Sequence, residues 1–401
     1  MICFEMQNIL RNLKDTDIVV DLSLDDSNFT FLNKRLRDLL DKSKKNIDNY
    51  IDLWGSVKKY TNHYEFIHTP IPEYNTCISK YNPTSRAFYK MIEIINFFKI
   101  NNETTINSFH LAEAPGGFME ALCFLRENKY NEKHIGISLF NNEKTTPTWK
   151  RDSSLFTRYK NKIEIENGIS GDGDLYKSSN FLYLQNKYGN SMNLITADGG
   201  FDFSLDYNQQ EKNMLRLLYT EVCYALVLQD KGGTFILKIF DIFLEQTVDL
   251  LYILSLCYEE VYIMKPSTSR SANSEKYVIC KKFKHTLSLN TIKQLFNSLE
   301  KLEKFPKMFI SSLLYNINIP IGYLNQIREI NTIIGQNQLE TINSTIMIIE
   351  QPRKKERIHQ CVKENINKCV EWCIENNIDY RNHLEKENTF IKKSNIIFND
   401  F

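Results

Sequence analysis

Two lysines and two acids stand where an α/β chain would bring chemistry together. Asp198 closes the apolar run Met192-Asn193-Leu194-Ile195-Thr196-Ala197, directly before Gly199-Gly200. Lys238 interrupts a second run, Phe235-Ile236-Leu237 and Ile239-Phe240. Lys90 lies early in a helix announced by Asn82-Pro83-Thr84-Ser85, and Glu275 opens the last strand of the region. In an open parallel sheet the carboxyl ends of the strands line the ligand crevice, so Asp198 should face it. A lysine inside a buried strand is costly unless it is paired or functional. A buried Lys238–Asp198 salt bridge without catalysis would satisfy the pairing. The four residues together, beside the turn described next, point to catalysis instead.

That turn is Asn107 to Phe118, NSFHLAEAPGGF. An apolar run, Phe109-His110-Leu111-Ala112, breaks at Pro115-Gly116-Gly117 and resumes with helical spacing at Phe118-Met119-Glu120-Ala121-Leu122. The pattern predicts strand, glycine turn, helix. Glycine lets a ligand approach the backbone, and the following helix aims its free N–H groups at the same place. The spacing is neither GxGxxG nor GxxxxGK[ST], which disfavours a nicotinamide dinucleotide and a nucleoside triphosphate. Glu113 suits a cationic ligand better than a phosphate.

The elements that must position these residues alternate. After the helix from Arg86 to Phe98 come strands at Phe109, Lys133–Leu139, Ile163–Glu166, Met192–Ala197, Thr234–Phe240, Glu260–Met264 and Glu275–Lys281. Helical patterns separate most of them, notably Phe181–Tyr188, Glu211–Leu228 and Phe243–Cys257. This implies an α/β fold with a mostly parallel, seven-stranded sheet covered on both faces. The last two strands, joined by a loop without a helix, imply an antiparallel hairpin at one edge. Residues 1–80 form an N-terminal extension with a strand at Asp17–Leu22, residues 81–285 the central domain, and residues 286–401 a mainly helical accessory region.

The 401 residues carry 50 basic and 49 acidic side chains, a net charge of +1, so any nucleic-acid surface must be local. No apolar run is long enough to span a membrane, and the opening MICFEMQNILRNLKD reads as a folded element and not as a secretory signal. Nine scattered cysteines suit free thiols in a reducing compartment. Lys42-Ser43-Lys44-Lys45 reads as a solvated helix face in preference to a phosphate contact. His359, Cys361, Cys369, Cys373 and His383 match no zinc spacing, and Cys369 and Cys373 read as packing residues one helical turn apart. No metal is expected.

Ordered pieces now add up. Ser85-Arg86-Ala87-Phe88-Tyr89-Lys90, Ala114-Pro115-Gly116-Gly117-Phe118 and Gly171-Asp172-Gly173-Asp174 are followed by Ala197-Asp198-Gly199-Gly200-Phe201. Leu237-Lys238-Ile239-Phe240-Asp241 and the stretch Lys265-Pro266 to Tyr277 complete the series. Over about residues 81–285 the chain resembles the FtsJ/RrmJ-like S-adenosylmethionine-dependent RNA 2′-O-ribose methyltransferases. It is most similar to those that make cap 1 on messenger RNA in eukaryotes and large DNA viruses. The resemblance implies a Rossmann-like methyltransferase fold and a catalytic tetrad of Lys90, Asp198, Lys238 and Glu275. It implies S-adenosylmethionine as cofactor, a capped messenger RNA 5′ end as substrate, and other capping or transcription proteins as partners. A virus-encoded enzyme would act in the cytoplasm or virion, and a cellular one in the nucleus. A ribosomal or transfer RNA enzyme, and an inactive RNA-binding scaffold, are the alternatives.

A ribose hydroxyl is a poor nucleophile until its proton is removed or shared. Lys238 is the candidate acceptor, against a free value of about 10.4. Burial and Lys90 push its pKa down, Asp198 and Glu275 push it up, and the sequence leaves the sum open. Glu113, Ala114, Pro115, Gly116, Gly117 and Phe118 are the expected cofactor turn, with Ser138, Asp174, its neighbour Asp172, and Asp198 completing the site. Arg270, Ser271, Asn273 and Ser274 are the expected RNA contacts on the loop before Glu275. Trp54, Tyr81, Trp149 and Phe203 are candidate platforms for a methylated guanine.

Overall fold

The strands run β1 (Ile2–Glu5), β2 (Ile18–Ser23), β3 (Ser108–Leu111), β4 (His134–Ile137) and β5 (Ile163–Glu166). They continue with β6 (Met192–Ala197), β7 (Gln229–Ile239), β8 (Tyr258–Lys265), β9 (Lys276–Phe283) and β10 (Phe309–Leu314). The structure, a computed structural model, describes residues 1–11, 13–24, 29–72, 74–129, 131–140, 146–200, 209–284, 287–315, 317–351 and 354–381.

Eight strands form one sheet in the order β1-β8-β9-β7-β6-β3-β4-β5. From β5 to β7 every pairing is parallel, whereas β9 lies antiparallel to both β7 and β8. The chain runs outward from β3 to β4 and β5, then returns on the other side of β3 as β6 and β7. The reversal leaves a crevice at the carboxyl ends of β3 and β6, where loops diverge to opposite faces. The glycine turn leaves β3 there, and Asp198 leaves β6.

The sequence predicts seven strands with the hairpin at the edge. The eighth is β1, which pairs antiparallel with β8, Phe4 opposite Ile263. It covers the open side of the hairpin, where unpaired backbone groups would otherwise be exposed. The strand expected at Asp17–Leu22 forms as β2, but it pairs with β10 in a separate two-stranded sheet.

The first five α-helices are α1 (Lys34–Asn46), α2 (Ile51–Thr61), α3 (Ala87–Phe98), α4 (Gly117–Leu125) and α5 (Ser154–Arg158). α6 (Ser178–Tyr188), α7 (Gln210–Leu228) and α8 (Glu245–Cys257) follow the later strands. α9 (Leu289–Lys304), α10 (Ile321–Glu350) and α11 (Lys354–Glu375) come last. α7 is buried along most of its length, consistent with a helix clamped between sheet and outer layer. α11 returns to the centre of the molecule. Its Cys369 and Cys373 are fully buried, and Trp372 meets the Tyr89 ring edge-on at 5.8 Å. These cysteines are packing residues, as their spacing suggests. His383 lies outside the described residues.

Candidate active site

α3 carries Lys90 to the crevice because its first turns are apolar on nearly every side and sink beneath the glycine turn. Ala87, Phe88 and Tyr89 are buried. Lys90 Nζ lies 2.6 Å from Glu275 Oε1, while Lys238 Nζ lies 3.3 Å from Asp198 Oδ1 and donates to the Asp198 carbonyl at 2.6 Å. The four residues come from α3, β7 and the ends of two loops, and each lysine has its own carboxylate. Tyr277 joins the pairs. Its hydroxyl lies 3.2 Å from Asp198 Oδ1 and 3.3 Å from Glu275 Oε1, and Lys90 Nζ donates to it at 3.4 Å. Ser269 Oγ also donates to Glu275 Oε1, at 3.0 Å.

The electrostatics answer the sum that the sequence leaves open. Burial works against a charged Lys238, but Asp198 and Glu275 outweigh it, and its pKa is raised. Burial also opposes a charged Glu275; Lys90 and Lys238 overcome that and hold its pKa well below the usual carboxylate range. The Tyr277 hydroxyl is pushed up by burial and stays protonated. Burial moves the other two members of the tetrad the opposite way, Lys90 down and Asp198 up, each towards its neutral form against the attraction of its partners. The Lys238 side chain is 12% exposed, enough for a ligand to reach it.

The glycine turn sits beside this cluster. Gly116 has φ +104°, and a Cβ there would stand 2.5 Å from Leu155 Cδ2, so glycine is required on two counts. Gly117 opens α4 against Ser85 and Ala87, where a Cβ would meet Ser85 Oγ at 2.2 Å. Glu113 is not presented to a ligand. It is 3% exposed, Met119 N–H donates to one of its oxygens at 2.7 Å, and Thr196 Oγ1 donates to the other at 2.6 Å. Phe118 is fully buried and packs towards Tyr277, so only its backbone can serve the turn. Both corrections have one cause: the segment that builds the turn must also anchor it to the sheet.

Across the crevice, the Gly171–Asp174 stretch lies against the end of β4. A Cβ on Gly173 would stand 2.3 Å from the Ser138 carbonyl oxygen, and Phe140 N–H donates to the Asp172 carbonyl at 2.7 Å. The two acids there differ. Asp172 is tied to Lys177 and Ser170, each at 2.5 Å. Asp174 accepts the Tyr176 N–H on Oδ1 at 2.8 Å, and among the described residues its other oxygen has no protein partner. Asp174 is therefore the acid with capacity for a ligand.

The loop from Pro266 to Ser274 is held mainly by protein. Asn273 accepts from Lys265 Nζ through its carbonyl and its side chain, and Ser274, 3% exposed, donates to Gln210. Ser274 turns inward as a loop brace and not outward to RNA, whereas Asn273 is half-buried and braces the loop through its two oxygens. Ser271 N–H donates to Asn62 Oδ1 at 3.2 Å. Arg270 is one-third exposed and makes a two-pronged bond to Glu65, at 2.9 and 2.5 Å. Arg86 stands on the other side of the same carboxylate, at 3.8 Å. One acid thus holds two guanidinium groups at the rim of the site.

Several functional neighbours escaped the sequence. Arg86 lies one helical turn before Lys90, a spacing that places both on one face of α3. Glu93, one turn further, accepts from the Ser267 and Thr268 amides and from Trp372 Nε1, linking the loop to α11. Nothing in the local sequence marks Glu65. Of the Lys42–Lys45 run, Lys42 and Lys45 are exposed as expected of a solvated face, whereas Lys44 is buried against Asp241 at 2.9 Å. Of the expected platforms, Trp54 packs on Ile342 and Ile346, Tyr81 stacks on Phe88 at 4.8 Å, and Trp149 lies against Gly116 and Gly136. All three are engaged with protein. Phe203, and Phe201 of the motif after Asp198, lie outside the described residues.

A bare-backbone turn at a sheet reversal, facing paired lysines and carboxylates, defines a group-transfer site for a nucleotide-like cofactor. The profile of the FtsJ-like methyltransferases matches residues 83–283, half of the chain. The chain belongs to that family, whose members use S-adenosylmethionine. Cap-specific mRNA (nucleoside-2′-O-)-methyltransferase 2 of Danio rerio is 30% identical over 298 residues, covering 70% of this chain and 39% of that protein. The protein of the same name from Pongo abelii is 28% identical over 328 residues, covering 78% and 41%. Human cap-specific mRNA (nucleoside-2′-O-)-methyltransferase 1 is 38% identical over 177 residues, covering 42% and 20%. The chain thus spans well under half the length of these relatives.

Proposed function

We propose that the protein transfers a methyl group to a ribose 2′-hydroxyl next to the cap of messenger RNA. The observation that carries this reading is the convergence of Lys90, Asp198, Lys238 and Glu275, bridged by Tyr277, beside the Gly116–Gly117 turn. The chain's own donors and acceptors suit S-adenosylmethionine. Gly116 and Gly117 leave the backbone bare for its methionine end, and Asp174 has an oxygen available for its adenine side. When bound, the cofactor supplies an electrophilic methyl group. The rest is the work of the protein. Lys238 orients the hydroxyl and takes its proton, Asp198 fixes the amine, and Lys90 with Glu275 balances the charge. Because Lys238 is charged at rest, it must release its own proton before it can accept another.

Arg86 and Arg270, held by Glu65 at the rim, are suited to an RNA phosphate. The names of the relatives support a capped substrate. We place the protein in the cytoplasm or virion if virus-encoded, and in the nucleus if cellular.

Labelled S-adenosylmethionine with capped and uncapped short RNAs tests this. The expected product carries label on the first or second transcribed ribose, requires the cap, and is lost in Lys238→Ala. Label on internal riboses of uncapped RNA would reassign the substrate to ribosomal or transfer RNA. Tight RNA binding by folded protein without transfer would replace the enzyme by a scaffold.

A further inference from the structure

Beneath the glycine turn runs a line of fully buried polar groups that the reaction does not use. Ser108 and His110 alternate with Phe109 and Leu111 on β3, so both face the same side of the sheet. The register sets His134 of β4 opposite Ser108 and Thr196 of β6 opposite His110. Ser108, His110, His134 and Thr196 are all 0% exposed. Ser108 Oγ lies 2.7 Å from His110 Nε2 and 2.8 Å from His134 Nδ1. His110 Nδ1 lies 2.8 Å from Glu113 Oε2 and 2.7 Å from Thr196 Oγ1.

The proton positions follow from the acceptor at the end. With a carboxylate at Glu113 and a neutral ring at His110, the hydrogen-bond network assigns the proton to Nδ1 and leaves Nε2 bare. Ser108 must then donate to Nε2, and its oxygen accepts from His134 Nδ1–H. His134 Nε2 is left bare, and it is a buried atom without a partner. Burial above all, with the positive charges of Lys162 and Arg126 nearby, pushes the His134 pKa down to about 3, in keeping with a neutral ring. Every bond in the line points towards Glu113. The remaining Glu113 oxygen accepts the Met119 amide in the first turn of α4.

We propose that His110, Ser108, His134 and Thr196 are positioning residues that clamp Glu113 to the first turn of α4 and thereby set the Gly116–Gly117 turn to receive the cofactor. This rests on the methyltransferase reading for the identity of the ligand. The clamp acts on cofactor affinity and not on the chemical step. Of the two bonds His110 makes, the one from Nδ1 reaches Glu113 directly and the one at Nε2 orients the ring, and the two amide side chains separate them. An asparagine amide nitrogen falls where Nδ1 stands, whereas a glutamine amide nitrogen falls nearer Nε2.

The test compares His110→Asn with His110→Gln in the full chain. S-adenosylhomocysteine binding is measured by calorimetry, and Met119 amide exchange by NMR without ligand. The Kd is expected to rise about tenfold in His110→Gln and to stay within about twofold of wild type in His110→Asn, as for one charge-assisted hydrogen bond. Met119 exchange should accelerate only in His110→Gln. In turnover, the cofactor KM should rise while kcat holds. Equal affinity and equal exchange in the two variants would overturn the proposal. If His110→Gln fails to fold, Thr196→Val removes another donor to Glu113 at similar shape, and the same readouts decide. Absence of S-adenosylhomocysteine binding in the wild type would sink the methyltransferase reading; the clamp would then stand or fall on Met119 exchange.

Discussion

At the scale of residues, the pairing of charges explains why lysine occurs in a buried strand at all. Lys238 is held charged by Asp198 and Glu275 despite burial. A group whose pKa is raised in this way is protonated at neutral pH, and its neutral fraction grows about tenfold per pH unit below that value. The rate of methyl transfer should therefore climb with pH between about 7 and 9. Lys238→Arg, which keeps the charge but does not release its proton, should lose about 100-fold or more of kcat and flatten the profile. A pH–rate profile of both proteins measures this; a wild-type rate independent of pH would speak against Lys238 as the acceptor.

Glu65 carries a second prediction. Burial alone would raise its pKa, but Arg270 and Arg86 reverse the sign and lower it to about 2. A carboxylate lowered in the folded state contributes stability fully above its unfolded value of about 4.3, and loses that contribution as pH falls towards the folded value. Glu65→Gln should cost about 3 kcal/mol at pH 7, and the difference from wild type should shrink steadily between about pH 4.5 and 2. Denaturant unfolding across that range checks it.

At the scale of elements, the parts legible in the sequence are those with a local signature. The strand–turn–helix at Ser108–Leu125, the strand ending at Asp198 and the strand around Lys238 all form where their apolar patterns place them. β1 has only four residues, too few for alternation to show, and it forms because β8 offers an edge. Glu113 looked like a ligand because its type and position suit one. Its real partners, Thr196 and His110, lie on other turns of the chain and become visible only in the sheet register. Ser274 misled for a similar reason: a small polar residue on a loop serves equally to bind a ligand or to brace the loop.

The same scale gives α11 a task. Trp372 packs on Tyr89 and donates to Glu93, which in turn holds the Ser267 and Thr268 amides. Trp372→Ala should cost about 3–5 kcal/mol of stability, read by chemical denaturation. It should also slow transfer at temperatures where the protein is still folded, because the loop before Glu275 loses its brace. A destabilised variant with unchanged kcat would confine α11 to a structural part.

At the scale of the whole molecule, the described N- and C-terminal segments pack into the two large hydrophobic clusters that contain residues of the central sheet. β1 extends the sheet, α1 sends Lys44 to Asp241, and α11 closes over α3. With a net charge of +1, the chain has no general attraction for RNA, so an RNA surface has to be local, and the rim where Arg86 and Arg270 meet is the one proposed above.

The central claim is that this site acts on a ribose 2′-hydroxyl. The most direct measurement supplies labelled S-adenosylmethionine and two capped RNAs that differ only in the sugar of the first two transcribed nucleotides, ribose or 2′-deoxyribose. The account predicts label on the ribose substrate, none on the deoxyribose substrate although it binds equally well, and none on either with Lys238→Met. Transfer to the deoxyribose RNA at a comparable rate would contradict it, since the methyl group would then be going to an atom other than the 2′-oxygen.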